Sequence, residues 1–152
     1  MLFLDNDLQI AEKDAHLYNK SMVSPLVEAE VARHDVSMLS GDYGGVLYEL
    51  QIHNPRKVTL VGITKEVTAG CGKYLRGVCH DVFDDERVEI INDDVSRFPD
   101  NSSGFDAIIH DLTMHPEAFI DMDREAVPDN LFTKIKDGLN PSGMIPAQRC
   151  SD

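Results

Sequence analysis

Cysteine and basic residues are scarce in this sequence of 152 residues, and long apolar runs are missing from it. The three cysteines, Cys71, Cys79 and Cys150, are odd in number and widely spaced, which predicts reduced thiols instead of a disulfide framework or a zinc site. No apolar run approaches the ~20 residues that a membrane-spanning helix needs. The start, MLFLDNDLQ, has two acids and no basic region ahead of its short apolar run, unlike a secretory signal. We therefore expect a cytoplasmic protein with no membrane partner.

The shortage of basic residues gives the chain a strongly acidic balance. Lys and Arg number 14 against 27 Asp and Glu, so the formal net charge is −13. This charge repels nucleic acid and anionic lipid and attracts small cations, so we expect no nucleic-acid partner. The negative charge is consistent with a cationic substrate. It is equally consistent with an acidic surface that only keeps the protein soluble. The composition leaves both interpretations open.

The apolar residues, 42% of the chain, are spread along its length and predict one domain with a substantial core. Within residues 1–33, the runs LFLD and LQIA flank the dipeptide Asn-Asp and predict a β-hairpin. A helix capped by Asp14 is expected to follow the hairpin. Ser24 and Pro25 then predict that a second helix starts there and runs over 26–32.

Residues 34–152 have the alternating pattern of an α/β protein. Short runs of β-branched and apolar residues, typical of buried strands, are separated for the most part by helical stretches. Strands that alternate with helices predict a parallel sheet that is covered on both faces. We therefore predict a Rossmann-like fold, with a mainly parallel twisted sheet after an N-terminal hairpin. The predicted strands are 36–39, 57–63, 87–92, 105–111 and 143–148, and the predicted helices are 44–52, 64–76 and about 128–137.

In a doubly wound sheet of this kind, ligands bind beyond the carboxyl ends of the strands. The first such end leads into SGDYGG (40–45), where Gly41 and Gly44 allow backbone N–H groups to approach a ligand at a helix N-terminus. The next strand ends at Gly62, where a nucleotide-binding sheet normally has an acid that accepts both ribose hydroxyls. The sequence thus predicts a nucleoside site that lacks its usual ribose anchor.

Acidic residues follow two further strands. Asp93 and Asp94 are placed to hold an adenine amino group or, as paired acids often are, simply to be solvated. Asp111 comes directly after an apolar strand, which suits a general base or a partner for a cationic amine, and also a helix or loop cap. His110 and His115 lie on either side of Asp111, but their spacing in a loop is weak evidence for a metal. We predict no metal site.

Four segments, in order along the chain, resemble those of one enzyme family. They are LDNDLQIAEKDAHLYNKSMV, SGDYGGVLYEL, KVTLVGITKEV and FDAIIHDLT. The family is that of the aminopropyltransferases, the spermine and spermidine synthases. In the order given, the four segments are similar to the family's hairpin and helix, its glycine loop GGGDGGVLxE, its strand VTLVEIDxxV and its strand that ends in the catalytic aspartate. The spermine synthases are the closer branch, because GCGKYLRGVCHDVFD, HDLTMHP and GMIPAQRC resemble further segments of theirs. The resemblance extends through essentially the whole chain.

The resemblance implies a class I methyltransferase-like core and a specific reaction. An aminopropyl group passes from decarboxylated S-adenosylmethionine to a polyamine, methylthioadenosine is released, and neither a cofactor nor a metal is required. Asp111 matches the catalytic aspartate, and Asp93 with Asp94 matches the pair on the adenine side. The remaining donor-binding positions are Gly41, Asp42, Tyr43, Gly44 and Gly62.

Some of these positions depart from the family pattern. Tyr43 stands where the glycine loop has an aspartate that contacts the donor, and Gly62 replaces the ribose-binding glutamate. Ser40 and Asp42 replace two glycines. The chain is therefore either an active aminopropyltransferase or an inactive one. An inactive relative or fragment would serve as a binding or dimerising module. A third possibility, a methyltransferase on the same sheet, is supported by the fold alone. Family members have segments before and after this core, so we expect truncation at the C-terminus, an unpaired sheet edge and a homodimer.

Overall fold

A computed structural model describes residues 2–4, 7–10, 13–41, 43–62, 65–93, 95, 103–111 and 126–147. Strands and helices alternate after a short hairpin, as the sequence pattern predicts. The strands are β1 (Leu2–Leu4), β2 (Asp7–Ile10), β3 (Asp35–Ser40), β4 (Lys57–Gly62), β5 (Val88–Asn92), β6 (Phe105–Asp111) and β7 (Leu139–Met144). The helices are α1 (Ala15–Glu28), α2 (Gly45–Gln51), α3 (Lys65–Tyr74), α4 (Arg76–Cys79) and α5 (Ala126–Gly138), with a 3₁₀ turn at Val82–Asp84.

The main sheet has the strand order β5-β4-β3-β6-β7, and neighbouring strands run parallel. The chain moves outward from β3 through β4 to β5 and then returns to place β6 on the other side of β3. The strand order therefore reverses between β3 and β6, and open α/β sheets bind ligands at such a reversal. The predicted fold class, an α/β Rossmann-like and mainly parallel sheet, is confirmed.

Apolar side chains fill both faces of this sheet. On one face Met38 of β3 belongs to a buried cluster with Leu47 of α2. On the other face Leu39 and Ile108 cluster with Ile135 of α5. Successive residues of a strand point to opposite faces, so β3 contributes to both cores. Of the helices that the structure describes, none has the length and apolar character needed to cross a membrane.

The N-terminal hairpin is confirmed, and the helix after it is longer than predicted. β1 and β2 pair antiparallel and form a small sheet of their own. α1 continues through Ser24 and Pro25, so the prediction of a separate helix over 26–32 is wrong. Pro25 lacks the N–H that would bond to the carbonyl four residues earlier in the helix, while the Ser24 hydroxyl donates to the Lys20 carbonyl over 2.7 Å. The fully buried Leu26 extends the apolar face of α1 past the proline, and its packing offsets the proline's cost.

The last strand lies earlier in the chain than predicted. β7 covers 139–144, whereas the sequence pattern predicted a strand over 143–148. The Asn140 side-chain amide donates to the Gly104 carbonyl (3.1 Å) and to Asp106 Oδ1 (2.8 Å), which fixes this segment beside β6. The register of β7 against β6 is irregular. Further along the predicted strand, Ala147 forms an isolated parallel bridge with His110.

Candidate active site

The carboxyl ends of the parallel strands bring predicted site residues to one edge of the sheet. Ser40 at the end of β3 lies in register with Asp111 at the end of β6. Gly62 at the end of β4 lies in register with Asn92 at the end of β5. The backbone N–H of Asp93, the next residue, donates to the Gly62 carbonyl over 3.1 Å. Asp42 and Asp94 lie outside the described residues.

The turn from β3 into α2 has a backbone conformation that favours glycine. The φ angles of Ser40, Gly41 and Gly44 are +67°, +80° and +81°. Gly41 lies against Asp111, since a Cβ added to Gly41 would come within 3.0 Å of the carboxylate Oδ2 atom. A side chain at such a φ costs about 1–2 kcal/mol. Gly41 therefore permits the close approach of the turn to Asp111, while Ser40 is strained.

Asp111 is a buried carboxylate held by a tyrosine from α1. Only 6% of Asp111 is exposed, and the Tyr18 hydroxyl donates a hydrogen bond to its Oδ1 atom. Burial and then the neighbouring Asp111 charge raise the pKa of Tyr18 well above its usual range, so the phenol stays protonated and remains the donor. A buried carboxylate in this position can hold an ammonium group or accept its proton.

Tyr43 lies in the same region, and its hydroxyl turns toward α1. It donates a hydrogen bond to the Oδ1 atom of the buried Asn19 over 2.9 Å. Burial first, and then the charge of Asp111, raise the pKa of Tyr43 above its usual range. The ring passes so close to Gly45 that a Cβ added there would lie 2.5 Å from Tyr43 Cε2. Position 43 is therefore occupied by a neutral, partly buried ring.

The end of β4 has no side chain to offer a ribose. Gly62 is buried, and Asp93 on the neighbouring strand end is exposed. Adjacent strands are about 5 Å apart, so this acid lies one strand further out than the position that usually binds the ribose hydroxyls. Position 62 therefore contributes only backbone atoms, and the next strand end carries an acid.

His110 points away from Asp111, to the other face of the sheet. Its ring stacks on Phe132 of α5 with 5.4 Å between the ring centroids. The residue is 3% exposed, and its Nδ1 atom has no hydrogen-bond partner among the described residues. Burial lowers the pKa of His110, which favours the neutral ring. His115 lies outside the described residues, and within them no group of three or more His, Cys, Asp or Glu side chains is placed to hold a metal.

Two residues of α1 contact this site and were missed by the sequence analysis. Tyr18 bonds to Asp111, and Asn19 bonds to Tyr43. A signal for Asn19 was available, because it lies between Ala15 and Val23 at four-residue intervals on the buried face of the helix. A polar side chain in such an apolar stripe needs a hydrogen-bond partner. Tyr18 has no comparable local signal.

Known proteins are similar to this chain over most of its length. Residues 15–151 match the family model described as the spermine/spermidine synthase domain. The polyamine aminopropyltransferase of Shigella boydii serotype 4 (strain Sb227) is 33% identical over 156 residues, which cover 97% of this chain and 51% of that protein. The polyamine aminopropyltransferase of Archaeoglobus fulgidus is 34% identical over 135 residues, which cover 88% of this chain and 46% of that protein.

Solved structures share the fold. A spermidine synthase from Thermotoga maritima superposes with a TM-score of 0.76 at 20% identity, over 95% of this chain and 47% of that one. A spermidine synthase in complex with the transition state analogue AdoDATO superposes with a TM-score of 0.78 at 22% identity, with the same coverage of 95% and 47%. The chain thus spans about half the length of the proteins it matches.

Proposed function

This chain belongs to the spermine/spermidine synthase family, and we propose that its site transfers an aminopropyl group from decarboxylated S-adenosylmethionine to an amine of a polyamine. The observation that carries the proposal is the buried Asp111 carboxylate at the reversal of strand order, held by Tyr18 and faced by Gly41. A cationic amine needs such a carboxylate both to be held and to lose its proton.

The proposed reaction is a nucleophilic displacement at the carbon next to the donor's sulfonium. The acceptor ammonium first gives a proton to the Asp111 carboxylate, which leaves a lone pair on nitrogen. A nitrogen–carbon bond then forms as the carbon–sulfur bond breaks, and the bonding pair goes to sulfur. Sulfur becomes neutral, methylthioadenosine leaves, and the proton passes from Asp111 to solvent. Tyr18 acts as a positioning residue, because its hydrogen bond orients the carboxylate.

We propose that the donor lies along the strand ends with its adenine toward β5. Asp93 and Asp94 then hold the adenine side, the ribose lies over Gly62, and the tail lies near Gly41, Asp42, Tyr43 and Gly44. Three strand spacings separate the end of β5 from the end of β6 in this sheet, which is about 14 Å. This span suits an adenosine that carries a short tail reaching Asp111.

The proposal extends to partners and assembly. The net charge of −13 supports a cationic polyamine as substrate and disfavours nucleic acid and anionic membrane surfaces. We also propose a cytoplasmic homodimer that uses no cofactor and no metal. Support for self-association is that β5 lies at an edge of the described sheet and β1 and β2 form a separate small sheet.

A second candidate function is that of an inactive binding or dimerising module. Two observations favour it: Gly62 gives the ribose no carboxylate, and the Tyr43 hydroxyl is already bonded to Asn19. Charge-assisted hydrogen bonds are worth about 1.5–3 kcal/mol each, so their loss weakens donor binding steeply.

Calorimetric titration with methylthioadenosine and with decarboxylated S-adenosylmethionine tests the proposed function. We expect both ligands to bind the unaltered chain. Asp111→Asn should retain the binding of methylthioadenosine, which lacks the donor's aminopropyl ammonium. The matched control is Asp137→Asn, an exposed aspartate on α5. Absence of binding by either ligand would favour the inactive module.

A further inference from the structure

A cleft of about 610 Å³ lies between α3 and the edge strand β5. Between the two lysines at its ends, the α3 wall has the small side chains of Thr68, Ala69 and Gly72, where a helix packed on a sheet usually places large apolar residues. Ile90 of β5 faces the cleft and is only partly buried. The volume lies within the range of small-molecule sites, about 300–1,000 Å³. The cleft thus exists because the helix presents little bulk to this strand.

Three cations line the same cleft: Lys65, Lys73 and Arg76. Within the described part of the chain, none of them has a carboxylate at ion-pair distance. This is notable in a chain with 27 acids and 14 basic residues. Two carboxylates, Asp81 and Asp84, also line the cleft. The cleft therefore combines a cationic helix wall with hydrogen-bond acceptors.

The cations divide between the two ends of the cleft. The Nε–H of Arg76 donates to the Gly72 carbonyl over 3.3 Å, which keeps the guanidinium beside the last turn of α3, where Lys73 also lies. Lys65 begins α3, and eight residues of helix separate it from Lys73 by about 12 Å. One phosphate cannot contact both ends. Lys73 and Arg76 both belong to the end of the cleft at the last turn of α3, and the Lys73 Nζ atom lies 4.7 Å from the centroid of the exposed Tyr74 ring. Two exposed cations at one end suit a phosphate.

The rest of the cleft suits an apolar body that carries an amino group. Phe83 and Ile90 provide apolar surface, and Asn92 lies at the opposite end with Lys65. The carboxylates of Asp81 and Asp84 accept hydrogen bonds from an amine. We propose that this cleft binds a phosphate-bearing small molecule of mononucleotide size, with its phosphate on Lys73 and Arg76 and its body along α3 and β5.

This inference goes beyond the proposed aminopropyl transfer. The cleft meets the proposed donor site at the end of β5, where Asn92 lines the cleft and the neighbouring Asp93 is proposed to hold the adenine. The phosphate end of the cleft, at Lys73 and Arg76, lies about 12 Å further along α3. Phosphate binding there therefore does not require that the donor binds, and a failure of the transfer reaction leaves it standing.

Cytidine 5′-monophosphate is a suitable probe, because it has a phosphate, a flat body and an amino group. Calorimetry at low salt should find that it binds at least tenfold more tightly than cytidine or inorganic phosphate. Lys73→Gln combined with Arg76→Gln should weaken the binding of cytidine 5′-monophosphate at least tenfold. Ala69→Phe keeps every charge and fills the cleft, so it should also weaken binding. The matched control, Lys13→Gln with Lys20→Gln, removes the same charge elsewhere and should change affinity less than twofold.

Competition separates the cleft from the proposed donor site. An excess of methylthioadenosine should leave the affinity for cytidine 5′-monophosphate unchanged. The inference is overturned if methylthioadenosine displaces the probe, if the two cleft variants bind the probe as the unaltered chain does, or if the probe binds no more tightly than phosphate.

Discussion

Tyr18 donates its hydroxyl hydrogen to Asp111 across 93 residues of sequence. The bond joins α1 to the end of β6, and so to the place where the strand order of the sheet reverses. Because burial and the Asp111 charge raise the pKa of Tyr18, the phenol stays protonated and the bond keeps its direction. The proposed reaction depends on this relationship, since it orients the carboxylate that accepts the proton.

Removal of the Tyr18 hydroxyl should therefore destabilise the fold. Tyr18→Phe leaves the buried carboxylate with one donor fewer, and a hydrogen bond to a charged group is worth about 1.5–3 kcal/mol. Urea denaturation at pH 7 should give a free energy of unfolding lower by about that amount. Tyr74→Phe is the control, because Tyr74 is 73% exposed, and it should change stability by less than about 0.5 kcal/mol. Equal effects of the two substitutions would contradict the role given to Tyr18.

Replacement by alanine should lower the free energy of unfolding at one glycine and raise it at another. Gly41→Ala places a Cβ within 3.0 Å of Asp111 Oδ2 at a φ of +80°, and we expect a loss of about 2 kcal/mol. Gly70→Ala meets nothing within 4 Å inside α3, and the higher helix propensity of alanine should add about 0.5–1 kcal/mol. Thermal and urea unfolding measure both changes. A stable Gly41→Ala variant would mean that the turn does not lie against Asp111.

His110 should make stability fall as the pH drops below about 6.5. Its pKa is lowered by burial in the folded state, so the unfolded chain binds the proton more readily. Stability should be full above the unfolded value near 6.5 and decrease as the pH falls from there toward the lowered folded value. His110→Phe should flatten this part of the curve, measured by urea unfolding at several pH values. The control is His16→Asn, an exposed histidine on α1; the same flattening in it would contradict the assignment.

A carboxylate at position 62 should strengthen donor binding. Gly62→Glu adds an acceptor for the ribose hydroxyls at the end of β4, and we expect at least tenfold tighter binding of methylthioadenosine, about 1.4 kcal/mol. The control Gly62→Gln adds a side chain as long as glutamate but uncharged, so its affinity for methylthioadenosine should increase less. Calorimetry on the three proteins, with circular dichroism to verify folding, measures the difference. Unchanged affinity in Gly62→Glu would show that the ribose does not lie over this residue.

The fold could be predicted largely from the sequence because its strands are short apolar runs between helices. KVTLVG and FDAIIHD are buried on both faces, and their composition alone indicates interior parallel strands. The errors occurred where tertiary contacts overrule local signals. Pro25 lies inside α1 because Leu26 continues the buried face, and β7 lies early because Asn140 is bonded to Gly104 and Asp106.

The site could be predicted only in part. The place of Asp111 follows from its position directly after an apolar strand, and the structure puts it in register with Ser40. The bond from Tyr18 could not be predicted, since nothing near either residue indicates a partner 93 positions away. The orientation of Tyr43 toward Asn19 likewise depends on the packing of α1 against the start of α2.

The most direct test of the proposed function is the release of methylthioadenosine from decarboxylated S-adenosylmethionine in the presence of a polyamine, followed by mass spectrometry. The unaltered chain should release it, and Asp111→Asn should lower the rate at least a hundredfold, within the 10²–10⁴-fold contribution of a positioned proton acceptor. Asp137→Asn, an exposed aspartate on α5, should keep the rate within a few-fold. Release at equal rates by the unaltered chain and Asp111→Asn, or no release by the unaltered chain while it binds both substrates, would contradict the assignment of Asp111 and of the reaction.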